Sequence, residues 1–457
     1  MIEIVAIDTP ALGDRSYLVH DGAVAVVIDP QRDIDRVLDL AGRRGVTITR
    51  VFETHLHNDY VTGGLALARE TGAAYHVNAA DQVAFDRFAV RDGDIIEVSP
   101  AMRLRVLTTP GHTFTHLSYV VEAAGRPPAV FTGGSLLYGS TGRPDLFGAG
   151  HTAALAHAQY ASAHRLAAEL PDEADVYPTH GFGSFCSSAP ADGEASTIGR
   201  ERQVNPVLAV GEQEYLWTLL AGLDAYPAYY AHMHQANAAG PPGADLSSPH
   251  RAEAAELQAR IQAGEWVVDL RPRAAFAAGH LAGTLNFGID VSFATNLGWL
   301  IPWGTPLTLL GETPQQVAEA QRDLVRIGID RPAAAATGGP AEWAGARPLR
   351  SFPVADFAAL AAVGRHRPVV LDVRRNLEWA GSHLDGAVHI PLHELPRRLG
   401  EVPDGEVWVH CHSGYRASVA ASMLDAAGRT VVAVDDDYDH AASAGLPSSA
   451  TRRITAA

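Results

Sequence analysis

The feature that most constrains the fold is an internal repeat in the C-terminal part of the chain. The segment VVDLRPRAAFAAGHLAGTLN begins at Val267, and VLDVRRNLEWAGSHLDGAVH begins at Val370. Aligned without gaps, they pair Asp269 with Asp372, Arg271 with Arg374, His280 with His383 and Gly283 with Gly386. A repeat of this length exceeds a solenoid unit and suits an independent domain. The sequence therefore predicts two copies of one α/β domain.

These copies follow a longer region in which short apolar strands alternate with Gly/Pro/Asp turns and with helical stretches. We predict an α/β multidomain protein with a first domain at residues 1–235 and a linker rich in Ala, Gly, Pro and Ser at 236–251. The first copy then occupies 252–347 and the second copy 351–450.

Net charge and cysteine content limit the binding partners and the cellular compartment that can be expected for this protein. The net charge of −17 disfavours binding to nucleic acid, because like charges repel. We expect no membrane span and no export signal, because neither a long apolar run nor a basic N-terminal region is present. Cys186 and Cys411 are the only cysteines, too few for a disulfide framework, which predicts a cytoplasmic protein.

Cys411 lies in the most informative motif, the segment EVWVHCHSGYRASVAASM. It is predicted to occupy a loop between a strand that ends at His410 and a helix that begins near Arg416. Backbone N–H groups of such a loop and the positive end of the helix stabilise a thiolate or an anionic persulfide. The predicted site comprises the nucleophile, a fixed cation and the cradling loop: Cys411, Arg416, His412, Ser413, Gly414 and Tyr415.

The loop CHSGYR, with the upstream VLDVR and SHLDGAVHIP, resembles the active-site motifs of the rhodanese family. The resemblance covers the second copy and implies that Cys411 takes a sulfane sulfur from a donor and passes it to an acceptor. The alternatives are a buried structural cysteine, or an arsenate reductase or phosphatase with a similar loop. In the first copy Gly311 and Gln316 replace the cysteine and arginine, which predicts a silent domain. That domain packs against its neighbour, shapes the active-site mouth or binds a partner.

The first domain contains scattered histidine motifs, each weak alone. THLHNDY contains His55, His57 and Asp59; TTPGHTFTH contains His112; and YPTHGFGSFC contains His180. In this order, each after a strand, they resemble the metallo-β-lactamase superfamily. That resemblance implies an αββα sandwich with metal at the sheet edge.

Within that superfamily, the segment GRPD and the pairing with a rhodanese resemble persulfide dioxygenase–sulfurtransferase fusions. Those dioxygenases hold one Fe(II) with two histidines and an aspartate, at positions matching His55, His112 and Gly134. Gly134 therefore lacks the expected carboxylate, and Tyr60 replaces another histidine, which disfavours a dinuclear site. One Fe(II) or Zn(II) remains compatible with His55, His57 and His112, supplemented by Asp59, His180 or Tyr60. Loss of the metal is the alternative.

Three functions follow as hypotheses. The first is sulfur transfer at Cys411 coupled to a persulfide-dioxygenase-like metal domain. Its expected small-molecule partners are thiosulfate or a low-molecular-weight thiol or persulfide, such as glutathione or its persulfide. The second is a thioester hydrolase of the glyoxalase II type, and the third is a metal-free scaffold with a sulfur carrier. Arg143 and Asp145 either bind the thiol carrier or form an ion pair. Cys186 either approaches the metal or is a buried apolar residue. By analogy, we expect a homodimer.

Overall fold

The computed structural model describes residues 2–189, 193–363 and 368–451. The chain forms two compact units. Unit 1 comprises Met1–Asp245 and Asp323–Gly328, and unit 2 comprises Leu246–Arg322 and Ile329–Ala457. Within the described ranges, no helix combines the length and the apolar character needed to cross a membrane.

Unit 1 is built on two six-stranded sheets with the orders β1-β2-β3-β4-β5-β6 and β12-β11-β10-β9-β8-β7. The strands of the first sheet are β1 Glu3–Thr9, β2 Asp14–His20, β3 Val24–Ile28, β4 Thr47–Phe52, β5 Ala74–Asn78 and β6 Phe88–Val90. Those of the second are β7 Ile95–Ser99, β8 Met102–Thr108, β9 Leu117–Glu122, β10 Ala129–Gly133, β11 Asp175–Pro178 and β12 Ser196–Thr197.

The two sheets pack face to face. Strand β8 shows why: Leu104 and Val106 are buried, while Arg103 is exposed, the period of two expected for a strand with one face in the core. Tyr17 of the first sheet and Phe131 of the second lie in the same apolar cluster, with ring centroids 5.1 Å apart.

Helices cover the outer faces of the sheets, which completes the predicted αββα sandwich. They are α1 Asp35–Arg44, α2 Gly64–Thr71, α3 Ala149–Glu169, α4 Ile198–Val204, α5 Pro206–Ala209, α6 Glu212–Gly222 and α7 Tyr230–Ala239. Helix α7 includes the first four residues of the predicted linker 236–251, so the linker boundary differs from the prediction. The segment AHMHQANAA is rich in alanine and favours a helix, which ends at Gly240 with φ +80°.

Unit 2 contains a four-stranded sheet, β14-β13-β15-β16, a five-stranded sheet, β17-β22-β21-β18-β20, and the short pair β19-β23. Its strands are β13 Trp266–Asp269, β14 Leu285–Asn286, β15 Leu307–Gly311, β16 Ala334–Thr337, β17 Val354–Ala355, β18 Val369–Asp372, β19 His383–Leu384, β20 Val388–His389, β21 Val407–His410, β22 Val431–Val434 and β23 Ser448–Ser449. Its helices are α8 Ala254–Gln262, α9 Arg273–Ala278, α10 Phe293–Leu300, α11 Pro314–Arg326, α12 Pro340–Ala344, α13 Phe357–Val363, α14 Asn376–Gly381, α15 Leu395–Arg398, α16 Tyr415–Ala426 and α17 His440–Ser443, with a 3₁₀ turn at Leu399–Glu401. The last residues of α11, from Asp323 onward, belong to unit 1.

The two copies share their internal bonds as well as their sequence. The Arg271 side chain donates to the Asp269 carboxylate at 2.6 Å, and Arg374 donates to Asp372 at 2.7 Å. His280 stacks on Phe276 with centroids 4.0 Å apart, and the matched pair His383 and Trp379 stacks at 3.9 Å. The paired positions in the sequence repeat therefore occupy equivalent places in two parallel sheets.

Candidate metal cluster and cysteine loop

The metal-site loop, Thr54–Thr62, follows β4 and is buried throughout. Asn237 of α7 holds it in place. The side-chain amide of Asn237 donates to the carbonyls of His57 and Tyr60 at 2.9 and 2.8 Å and accepts from the N–H of Thr62 at 2.9 Å. A residue assigned to the linker from the sequence therefore fixes the loop that carries the first two histidines.

Three histidines from separate segments converge at the end of the sheets. One ring nitrogen from each of His55, His112 and His180 lies within 4.8 Å of the other two. The Nε2 atoms of His55 and His180 are 3.4 Å apart, and Nε2 of His112 is buried with no hydrogen-bond partner among the described residues. We call these three residues the histidine cluster.

The opposite ring nitrogen of each histidine has a partner outside the cluster. Nδ1 of His55 lies 2.9 Å from the Thr54 hydroxyl, Nδ1 of His112 lies 2.9 Å from the Arg143 carbonyl, and Nδ1 of His180 lies 2.9 Å from the Asp14 carboxylate. Such outer partners fix ring orientation in metal sites and leave Nε2 facing the ion. The donor set and the orphaned Nε2 of His112 therefore fit one divalent ion.

The three histidines of the cluster differ in how their surroundings shift their pKa values. Burial lowers the pKa of His55 well below its usual range and that of His112 to about 3, so both rings are neutral donors. At His180, burial is outweighed by Asp59 and Asp14, which raise its pKa well above the usual range. The Asp59 and Asp14 carboxylates would stabilise a metal ion held by His180 in the same way as they stabilise its proton.

His57 belongs to a different group from the one predicted. Its Nε2 lies 2.8 Å from the Tyr60 hydroxyl and 3.3 Å from both the Asp29 and the Glu53 carboxylates. Burial is outweighed by Asp29 and Glu53, which raise the pKa of His57 to about 9. His180 therefore takes the place beside His55 and His112 that the sequence assigned to His57.

Asp59 lies next to His180 but is not one of the three residues of the histidine cluster. Its Oδ2 lies 3.2 Å from Nδ1 of His180, and with His57 and His180 it forms a second group of potential ligand atoms within 4.8 Å of one another. Asp59 therefore sets the charge around His180 and borders a possible second position.

Gly134 is matched to the packing of His112. A Cβ built on Gly134 would lie 2.2 Å from Cδ2 of His112, a separation that no side chain tolerates. The N–H of Gly134 donates to Nε2 of His116 at 3.0 Å. The family's aspartate therefore cannot occupy this position while His112 keeps its present orientation.

Arg143 and Asp145 form the ion pair that the sequence left as an alternative to a carrier site. The Arg143 guanidinium is buried and donates to Asp145 at 2.7 Å through both Nε and Nη2. It also donates to the carbonyls of Phe185 and Asp224. Its donors are therefore engaged inside the protein.

Cys186 is fully buried, and burial raises its pKa well above the usual range.

The cysteine loop, Cys411–Gly414, joins β21 to α16 as predicted. Gly414 has φ +88°, a conformation that favours glycine, and a Cβ there would lie 2.0 Å from the Asp435 carboxylate. The first bond at the start of α16 runs from the Ser418 N–H to the Gly414 carbonyl at 2.9 Å. The N–H groups at Tyr415–Ala417 therefore have no acceptor within the helix and can face an anion at Cys411.

Arg416, predicted as a fixed cation of the loop, is held by Glu378 of α14. Its two terminal nitrogens donate to the two Glu378 oxygens, each at 2.7 Å. Glu378 also accepts from the Arg375 N–H at 3.0 Å. Burial is outweighed by Arg416, and the pKa of Glu378 falls to about 2. The charge of Arg416 is therefore largely balanced by Glu378.

The first copy lacks all three members of this arrangement. Gly311 replaces the cysteine, Gln316 the arginine and Ala275 the glutamate. Gln316 closes its own loop, since its side chain donates to the Leu270 carbonyl at 3.1 Å and accepts from the Glu312 N–H at 2.7 Å. The Thr313 hydroxyl caps the start of α11 by accepting from the Gln316 N–H at 3.2 Å.

Sequence reasoning missed the residues that support the histidine cluster from outside. Asp14, Asp29, Glu53 and Asn237 are buried and polar, yet none belongs to a motif with recognisable metal-ligand spacing. A carboxylate at the end of a fully apolar strand, as in VAVVIDP, was the available signal for Asp29, because a buried charge requires a partner.

Comparisons with known proteins match this architecture. The model of the metallo-beta-lactamase superfamily matches residues 11–180, and that of the rhodanese-like domain matches residues 356–443. A hydroxyacylglutathione hydrolase from Cupriavidus taiwanensis is 32% identical over 234 residues, which cover 44% of this chain and 84% of that protein. The chain belongs to the metallo-beta-lactamase superfamily. It carries a rhodanese-like domain at its C-terminal end, which confirms the predicted fold class.

Two solved structures resemble parts of the chain. A metallo-beta-lactamase from Staphylococcus aureus subsp. aureus COL has 28% identity and a TM-score of 0.66, covering 74% of this chain and 99% of that one. ETHE1 from Myxococcus xanthus has 30% identity and a TM-score of 0.45, covering 52% of this chain and 98% of that one. The chain spans 57% of the length of two further hydroxyacylglutathione hydrolases.

Proposed function

We propose that unit 2 is a sulfurtransferase that carries sulfane sulfur as a persulfide on Cys411. The observation that supports this most directly is the place of Cys411, directly before α16, whose first N–H groups lack intrahelical acceptors. Such a helix start holds the negative charge of a thiolate or persulfide. Glu378 and Arg416 keep the loop and helix in register.

The proposed reaction has two displacements. The Cys411 thiolate attacks the outer sulfur of thiosulfate or of a low-molecular-weight persulfide; the donor's S–S bond breaks, and sulfite or the carrier thiolate leaves with the electron pair. An acceptor nucleophile then attacks the outer sulfur of the Cys411 persulfide. The S–S bond breaks, and Cys411 is released as a thiolate. No external oxidant or reductant is required, because the sulfane sulfur keeps its oxidation state.

Thiocyanate formation from thiosulfate and cyanide tests the proposal. Cys411→Ser is expected to abolish turnover, whereas the matched control Cys186→Ser keeps it, because Cys186 lies in unit 1. Equal turnover by the wild type and Cys411→Ser would refute the role of Cys411.

A second function, persulfide oxidation in unit 1, is favoured by the histidine cluster. We propose that His55, His112 and His180 hold one divalent ion, and that the Asp14 carboxylate fixes the third ring. When bound there, Fe(II) supplies the redox chemistry for the overall reaction RSSH + O₂ + H₂O → RSH + SO₃²⁻ + 2H⁺. The chain's own contribution is to orient three imidazole rings through Thr54, the Arg143 carbonyl and Asp14.

Metal analysis of protein purified without air tests the ligand set. We expect His180→Gln to lose the ion and His57→Gln to keep it, provided that circular dichroism shows both variants folded. Loss of the ion in His57→Gln as well as in His180→Gln would instead assign it to the second group, which contains both residues. Oxygen uptake with glutathione persulfide by the wild type, lost in His112→Gln, would support oxidation.

Hydrolysis of a glutathione thioester is the alternative, named by the hydrolase relatives. Two positions oppose it, since Tyr60 and Gly134 stand where a dinuclear site needs a histidine and a carboxylate. Chelator-sensitive turnover of an acyl-glutathione by the full chain would favour the hydrolase over the dioxygenase.

A further inference from the structure

A cavity of about 420 Å³ lies between the two copies in unit 2, and we call it the junction cavity. Tyr415 and Ser418 of α16 line it from the second copy, and Arg273 and Asp290 line it from the first. The volume is sufficient for a small organic ligand. Cys411 is buried and does not itself line the cavity. Tyr415 directly follows the cysteine loop, however, and Arg273 is close enough to Cys411 for their charges to interact, so the cavity adjoins the loop of the proposed persulfide.

Arg273 connects the junction cavity to the cysteine loop. Its Nε donates to Asp435 at 2.8 Å, and its Nη2 lies 3.4 Å from the Ser413 carbonyl. Both partners belong to the second copy, whereas Arg273 begins α9 of the first copy. Gly414 permits this approach, because a Cβ there would meet Asp435 at 2.0 Å and Arg273 at 3.2 Å.

The junction cavity is lined by one ion pair and by one further carboxylate, that of Asp290. Arg273 already forms an ion pair with Asp435. Asp290 accepts a hydrogen bond from the Ser292 N–H at 2.7 Å but forms no ion pair in the described structure. Burial raises the pKa of Asp290, and Arg273 offsets this only in part. A ligand cation beside Asp290 would therefore be stabilised, whereas an additional carboxylate would be repelled.

We propose that the junction cavity receives the thiol that accepts sulfur from Cys411, and that Asp290 selects thiols bearing an ammonium group. The inference rests on the proposed sulfur transfer. The acceptor thiolate attacks the outer sulfur on Cys411, the S–S bond of the Cys411 persulfide breaks, and the electron pair stays on Cys411. A role follows for the silent first copy, which supplies the wall that discriminates among acceptors.

Three small thiols that differ in charge test the proposal on the full chain. Cysteamine carries an ammonium, 2-mercaptoethanol is neutral, and 3-mercaptopropionate carries a carboxylate. With thiosulfate as donor, kcat/KM is measured for each acceptor and divided by its thiolate fraction at the assay pH. We expect cysteamine to exceed 2-mercaptoethanol by about fivefold, the gain of one partly exposed ion pair, and 3-mercaptopropionate to be the poorest acceptor.

Asp290→Asn is expected to lower kcat/KM for cysteamine about fivefold, to the value for 2-mercaptoethanol. Asp385→Asn is the matched control, because Asp385 is an exposed carboxylate of the second copy that does not line the junction cavity. Equal corrected rates for the three thiols, or equal effects of the two substitutions, would overturn the inference and leave sulfur transfer intact. Absence of transfer to any thiol and to cyanide would instead refute the proposed function.

Discussion

Glu378→Gln removes the carboxylate that holds Arg416 beside the cysteine loop. The pKa of Glu378 falls from 4.5 to about 2, through Arg416 and despite burial. At 1.36 kcal/mol per unit, this difference corresponds to ~3 kcal/mol of stability. Glu378 keeps 23% of its side-chain exposure, so we reduce the expected loss to about 2 kcal/mol at neutral pH.

The loss should depend on pH with a defined sign. A carboxyl whose pKa is lower in the folded state stabilises the protein above its unfolded pKa, and this stabilisation disappears as pH falls toward the folded value. The difference in unfolding free energy between the wild type and Glu378→Gln is therefore full above pH 4.5 and shrinks toward pH 2.

Urea unfolding followed by tryptophan fluorescence measures this difference. Of the seven tryptophans, only Trp217 lies in unit 1, so the signal reports mainly on unit 2. Glu401→Gln is the matched control, because Glu401 pairs with Arg398 on the surface and should contribute little. The reasoning fails if Glu378→Gln and Glu401→Gln shift the midpoint equally, or if the Glu378→Gln loss is constant between pH 7 and pH 3.

Three further substitutions test other parts of the structure. Gly134→Asp restores the family's carboxylate but places its Cβ against the His112 ring, so we expect bound metal to fall rather than rise, as elemental analysis would show. Gly414→Ala combines φ +88° with a clash against Asp435; thiocyanate formation should fall at least about tenfold, and wild-type kinetics would contradict this. Asn237→Ala removes three buried hydrogen bonds from the metal-site loop and should cost about 3 kcal/mol in chemical denaturation; a loss below about 1 kcal/mol would show that the loop supports itself.

The sequence was most informative where local chemistry and structure coincide. The strand, loop and helix around Cys411 were predicted because an apolar run, Gly414 and an alanine-rich segment each specify their own conformation. The repeat was equally readable, since Asp269 and Arg271 satisfy each other within three residues, so the same letters recur wherever the bond recurs.

The proposed metal ligands were only partly readable from the sequence, because their grouping depends on distant segments. His55 and His57 are two residues apart, yet His57 is held by Asp29 and Glu53, whereas His180 reaches the cluster from far along the chain. Spacing alone cannot separate these two destinations. The partner of Arg416 was also unreadable from spacing, because Glu378 lies on another helix.

The closed loop of the first copy also bears on how readily a silent domain can regain chemistry. A cysteine at position 311 would place its Cβ 3.0 Å from Val317 and 3.2 Å from the Gln316 side chain. An arginine at 316 without a glutamate at 275 would be a half-buried charge without its counter-ion. Each single reversion is therefore unfavourable by itself, and activity would return only with coordinated changes. The silent state of this domain therefore rests on several positions that would have to change together.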